Sequence, residues 1–135
     1  MRKLPGEHYS NQINARFWLL GQAGEAQTYV GIGRIELLEK IGKYGSMNRA
    51  AKEMGMSYKK AWQLIEELNT FSEQPLVVKN QGGVSGGGTQ LTEQGKKVIA
   101  VFRAFEQRFQ AFLEQESQKI EADLTTLAEG DLLSD

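Results

Sequence analysis

The chain has 135 residues, 40% hydrophobic and 24% charged, with no cysteine and a formal net charge of −1. That composition suits one domain with an appendage, and it excludes a wholly disordered chain, a disulfide framework and a thiolate metal site. No apolar run approaches the roughly 20 residues of a membrane span, and Met1 to Gly6 has basic residues with no apolar stretch behind them, so a cytoplasmic protein without a signal peptide is expected.

Residues 13–32, "INARFWLLGQAGEAQTYVGI", set aromatic and aliphatic residues on both sides of a Gly21 to Gln27 turn region and predict a β-hairpin. From Gly33 to Tyr44, Ile35, Leu38 and Ile41 recur at helical spacing, with Leu37 beside them, and the pattern stops at Gly45. Ser46 then caps a second helix to about Met54, and Ser57 caps a third through Trp62, Leu64, Ile65 and Leu68 to about Thr70. Pro75 closes that region, Leu76 to Lys79 suits a strand, and "TQLT" at 89–92 suits another after a glycine-rich loop. Thr92 opens a long last helix, and the chain after Ser117 is an acidic tail in which Ile120, Leu124 and Leu127 offer a continuation.

The stretch 46–62, "SMNRAAKEMGMSYKKAW", has the parts of a helix-turn-helix. Gly55 supplies a turn residue tolerant of positive φ, and Ala51 a close helix crossing. Ala50, Met54, Met56, Ala61 and Leu64 fall inward, leaving Arg49, Lys52, Ser57, Tyr58, Lys59, Lys60 and Gln63 outward. The plain alternative is an αα-hairpin of a small helical core with lysines for solubility. As a recognition helix, the third helix would put its basic N-terminal turn in the major groove, because Glu66 and Glu67 repel phosphate at the other end. Trp62 stays open between core packing and base contact.

The loop "NQGGVSGGG" has three readings. As a phosphate cradle it lacks the lysine, since Gly88 stands at that position. The other two readings are plain hairpin slack and the wing of a winged helix, which the order of three helices, strand, loop and strand favours. For an enzyme there is little material: one histidine, His8, in an N-terminus expected to be mobile, and no aspartate before Asp123. Neither a metal cluster nor a nucleophile triad can be assembled, and no cofactor is expected.

Val98, Phe102, Phe105, Phe109 and Phe112 alternate steps of four and three, a heptad seam. It packs either on its own domain or on a second subunit. So long a helix on so small a domain favours a homodimer, with two recognition helices about 34 Å apart on a pseudo-palindrome. The charge is segregated as that arrangement needs: residues 40–60 have six Lys or Arg against one Glu, and residues 104–135 have two against eight acidic residues. Solvated helix faces give charge runs too.

Residues 33–105 closely resemble the N-terminal winged-helix domain of the ModE-type molybdate-responsive regulators, related to LysR-type regulators. "GSMNRAAKEMGMSYKKAW", "LVV" before the glycine-rich loop, "LTEQGKKVI" and the upstream "RFWL" carry the resemblance. It implies a dimeric DNA-binding regulator in which Ser57, Tyr58, Lys59 and Lys60 begin the recognition helix and Gly82 to Gly88 form the wing. Full-length members continue into domains that bind molybdate or tungstate, and this sequence stops where those would begin, so molybdate binding by this chain is not expected.

The expectation is therefore a mainly α fold with small β: a winged helix-turn-helix at 1–91 (hairpin 13–32, helix-turn-helix 46–70, wing 76–91), a dimerisation helix at 92–117 and an acidic tail at 118–135. Its expected partners are double-stranded DNA and a second copy of the chain, not a membrane. The expected DNA contacts are Ser46, Arg49, Ser57, Tyr58, Lys59, Lys60, Gln63, Gly82, Gly83, Ser85, Gly86, Gly87 and Gly88, and the expected dimer seam is Val98, Phe102, Phe105, Phe109 and Phe112. The rival reading is a protein-interaction module that binds partners through the winged helix and the Phe-rich helix.

Overall fold

The computed structural model describes residues 7–9, 12–21, 28–80 and 88–128. The elements are β1 His8–Tyr9, β2 Asn14–Ala15, β3 Leu19–Leu20, β4 Tyr29–Val30, α1 Ile32–Tyr44, α2 Met47–Glu53, α3 Tyr58–Leu68, β5 Val77–Lys79, β6 Thr89–Leu91 and α4 Glu93–Ala128. This is a mainly α winged helix-turn-helix with small β, ending in a long helix. Two compact units divide it, Phe17–Phe102 and a second made of Met1–Arg16 with Arg103–Asp135.

Three helices start on a hydroxyl that takes up an otherwise orphan backbone N–H. Ser46 Oγ accepts from Arg49 N at 3.1 Å, Ser57 Oγ from Lys60 N at 3.0 Å, and Thr92 Oγ1 from Gly95 N at 3.0 Å. Each such cap stabilises its helix by about 1 kcal/mol. Between α2 and α3, Met56 N donates to Ala51 O at 3.0 Å and Gly55 N to Lys52 O at 3.1 Å. That bond pair closes the helix through a left-handed residue, and Gly55 has φ +67°. Apart from Gly55 itself and its chain neighbours, nothing among the described residues lies within 4 Å of where a Gly55 Cβ would stand, so only backbone strain opposes a side chain there. Gly55→Ala should therefore cost about 1–2 kcal/mol of stability, measured by urea titration.

The core of the Phe17–Phe102 unit gathers Val30, Ile35, Leu38, Ile41, Ala50, Ala51, Ala61, Ile65, Leu68, Leu76, Leu91, Val98 and Phe102. Ala50, Ala51 and Ala61 are fully buried, as a close crossing of α2 and α3 requires. Met54, Met56 and Leu64 pack at its edge. The β5–β6 ribbon is antiparallel, with Val77 opposite Leu91 and Lys79 opposite Thr89. It is fixed at two points. Thr89 N donates to Gly45 O, the C-cap of α1, at 3.1 Å. Asn69, just past α3, accepts from Leu76 N and Val77 N through Oδ1 and donates to Val77 O through Nδ2. Asn69 thus staples the ribbon to the end of α3.

The expected hairpin at 13–32 is present as the antiparallel pair β3–β4, while β2, within the same stretch, pairs with a strand not anticipated, β1. His8 is accordingly ordered and only 6% exposed. Its Nε2 lies 3.3 Å from Glu106 Oε2, and its ring meets Phe109 edge-on at 5.5 Å. These partners lie about a hundred residues along the chain, so no local pattern signals them.

The first unit also extends past residue 91, because α4 buries Val98 and Phe102 in it. The helix itself continues through the first part of the predicted tail, to Ala128.

Candidate nucleic-acid interface

The caps that start α2 and α3 also set their first turns at the surface. Tyr58, Lys59 and Lys60 form the first turn of α3 and are exposed, Tyr58 by 51%. No carboxylate among the described residues pairs with Lys59 or Lys60. The same holds for the exposed Lys43, Arg49, Lys52 and Lys79 around them. Two cations elsewhere in this unit are paired with carboxylates: Arg34 meets Glu67 at 2.6 Å and Lys96 meets Glu93 at 3.1 Å. Unpaired cations clustered around one helix turn create a positive field that attracts a polyanion.

Aromatic rings hold several of these cations in place. The Arg49 guanidinium lies 4.2 Å from the centre of the Tyr44 ring, and Lys43 Nζ lies 5.1 Å from the same ring. Lys79 Nζ lies 4.4 Å from the Trp62 ring, which in turn meets Tyr58 edge-on at 6.2 Å. A cation over a ring keeps its full charge while losing freedom of movement. Trp62 is half-buried, and its Nε1 has no hydrogen-bond partner among the described residues. A buried donor left in that state costs about 1–3 kcal/mol.

Ser46 and Arg49 line a groove of about 600 Å³ with Asn48, Lys52 and Glu53. Gln63 is exposed one turn beyond Lys59 and lines a different groove, of about 750 Å³, with Arg34, Glu66 and Glu67. It therefore sits at the acidic end of α3. Gly82, Gly83, Ser85, Gly86 and Gly87 lie outside the described residues. Gly88 is described and has a packing role: a Cβ there would come 2.9 Å from Gly45 O. Sequence reasoning missed Tyr44, Asn69 and Lys79. Each acts through a partner in another element or, for Tyr44, through two neighbouring cations, and residue type alone does not announce that.

The predicted α4 seam divides. Val98 is 5% exposed and Phe102 1%, both inside the chain's own core. Heptad spacing finds an apolar stripe without saying what covers it, so these two leave the predicted subunit seam. Phe105 and Phe109 are half-buried and stack on each other at 5.8 Å, whereas Phe112 is 54% exposed. Among the described residues no helix is long and apolar enough to cross a membrane, and no group of three potential metal ligands occurs.

Residues 32–96, which span α1 to the start of α4, match the family described as bacterial regulatory helix-turn-helix protein, lysR family. Over 87 residues the chain is 47% identical to the molybdenum transport protein ModE of Azotobacter vinelandii, a match covering 64% of this chain and 32% of that protein. It is 38% identical over 104 residues to the transcriptional regulator ModE of Haemophilus influenzae, covering 75% and 41%. To the DNA-binding transcriptional dual regulator ModE of Escherichia coli K12 it is 45% identical over 69 residues, covering 51% and 26%. The chain thus spans well under half the length of these relatives. Residues 32–96 thus match a lysR-type helix-turn-helix domain, in a chain similar to ModE regulators.

Proposed function

We propose that the chain is a sequence-specific DNA-binding transcriptional regulator that acts in the bacterial cytoplasm as a homodimer, by occupying a promoter. The observation that carries this reading is the set of exposed cations at and near the capped first turn of α3, none paired with a carboxylate among the described residues. The relatives named as transcriptional regulators support a binding protein rather than an enzyme. Control of molybdenum-related genes is the reading that the name of the Azotobacter relative suggests. In the dimer, the exposed Leu124 and Leu127 of α4 face the second copy, and two copies of α3 read a pseudo-palindrome.

Lys59→Ala with Lys60→Ala tests the recognition turn. Both side chains are exposed, so the fold should stay intact. Affinity for genomic duplex fragments should fall, and the slope of log K against log salt should flatten by about 2, one per lost phosphate contact. An unchanged slope would remove α3 from the interface. If binding to partners proved insensitive to salt altogether, the protein-interaction reading would take its place.

A further inference from the structure

We infer that Lys79, at the base of the wing, is a DNA-backbone contact and that Trp62 is the positioning residue that presents it; this rests on the DNA-binding reading above. Lys79 is the last residue of β5, exposed, and paired in register with the buried Thr89. Its backbone belongs to the wing, yet its ammonium stands 4.4 Å from the ring of Trp62, on α3 one turn after Tyr58. A lysine left in water sweeps a wide volume about its four-carbon stem. Over the indole it is confined beside the turn that carries Tyr58, Lys59 and Lys60, without neutralisation by a carboxylate among the described residues. The ring occupies one side of the ammonium, leaving N–H donors for a phosphate oxygen. A lysine serving only the fold would be expected to pair with a carboxylate or to lie free. This one is held fixed and charged.

The orphan Nε1 of Trp62 points the same way. An unsatisfied buried donor opposes folding, and residues kept against a local rule mark functional positions. What the position requires, on this reading, is a flat aromatic face. Phenylalanine would keep that face and delete the orphan donor. Leucine would fill much of the volume and remove the face.

The test is binding of a random-sequence 30-base-pair duplex (length chosen at about three helical turns) by the full chain and three variants across a salt series. Lys79→Met should flatten the slope of log K against log salt by about 1. Between roughly 50 and 200 mM salt, that reduces the loss of affinity about fourfold. Trp62→Leu should flatten it equally although no charge is removed, while Trp62→Phe should keep the parental slope. Circular dichroism confirms that each variant is folded, and the exposed Lys79→Met carries the test should Trp62→Leu unfold. A parental slope in Lys79→Met overturns the contact. A parental slope in folded Trp62→Leu, or a slope in Trp62→Phe as flat as in Trp62→Leu, overturns the positioning role. Should the parent chain show no salt-dependent binding, the DNA-binding reading itself fails, and that result is distinct from every variant outcome.

Discussion

Phe102→Ala is expected to lower the stability of the Phe17–Phe102 unit by about 3–5 kcal/mol, the range for emptying a well-packed phenylalanine site. Phe102 is among the largest fully buried side chains, and its ring lies tilted against that of Phe17 with centroids 4.8 Å apart. Such a pair adds about 0.5–1.5 kcal/mol beyond the area it buries. The hole would open between α4 and the segment that carries Phe17. Phe17 is only partly buried and would lose an aromatic neighbour. Urea titration should show a lower midpoint at unchanged slope, the mark of lost stability without a changed unfolding reaction. The oligomeric state of the folded variant should match the parent's. A variant that melted like the parent but sedimented as a smaller species would return Phe102 to the subunit seam.

The helix-turn-helix was legible because its determinants are local. Ser46 caps a bond only three residues on, Ser57 likewise, and the αL turn at Gly55 is demanded by backbone geometry within one short segment. The order of α3, β5 and β6 could be read for the same reason. Where the chain's own distant parts decide, the sequence was silent. The heptad in α4 is a property of one helix, but which residues a partner covers depends on Phe17 and the rest of the core, far away in sequence. His8 was read as mobile because its interaction with Glu106 spans 98 residues. Lys79 looked like an ordinary strand-end lysine until the fold put it over Trp62. The candidate site was therefore readable in its charges and caps and unreadable in the rings that hold those charges.

Leu124→Glu combined with Leu127→Glu is expected to give a folded monomer whose affinity for a duplex with two half-sites falls by roughly 10²–10⁴-fold, the usual worth of linking two binding events. The inner face of α4 runs through Val98, Phe102, Phe109 and Leu113, and the same spacing continues at Ile120, Leu124 and Leu127. Leu113 is buried, whereas Leu124 and Leu127 are large exposed hydrophobic residues. An apolar stripe of that length on a charged helix is what a second copy of the same helix would cover. A glutamate there must either keep water in the seam or lose its charge, and both oppose association. These two positions test the idea more cleanly than Phe105 and Phe109. Phe109 receives the His8 ring, so a charge there would damage the protomer and confound loss of the dimer with local unfolding. Light scattering reads the mass, circular dichroism the fold, and the salt series the consequence. With one α3 engaged instead of two, the slope should fall to about half the parental value. A dimer that survived both glutamates would move the subunit contact off this face of α4, and with it the spacing between recognition helices from which a pseudo-palindromic site follows.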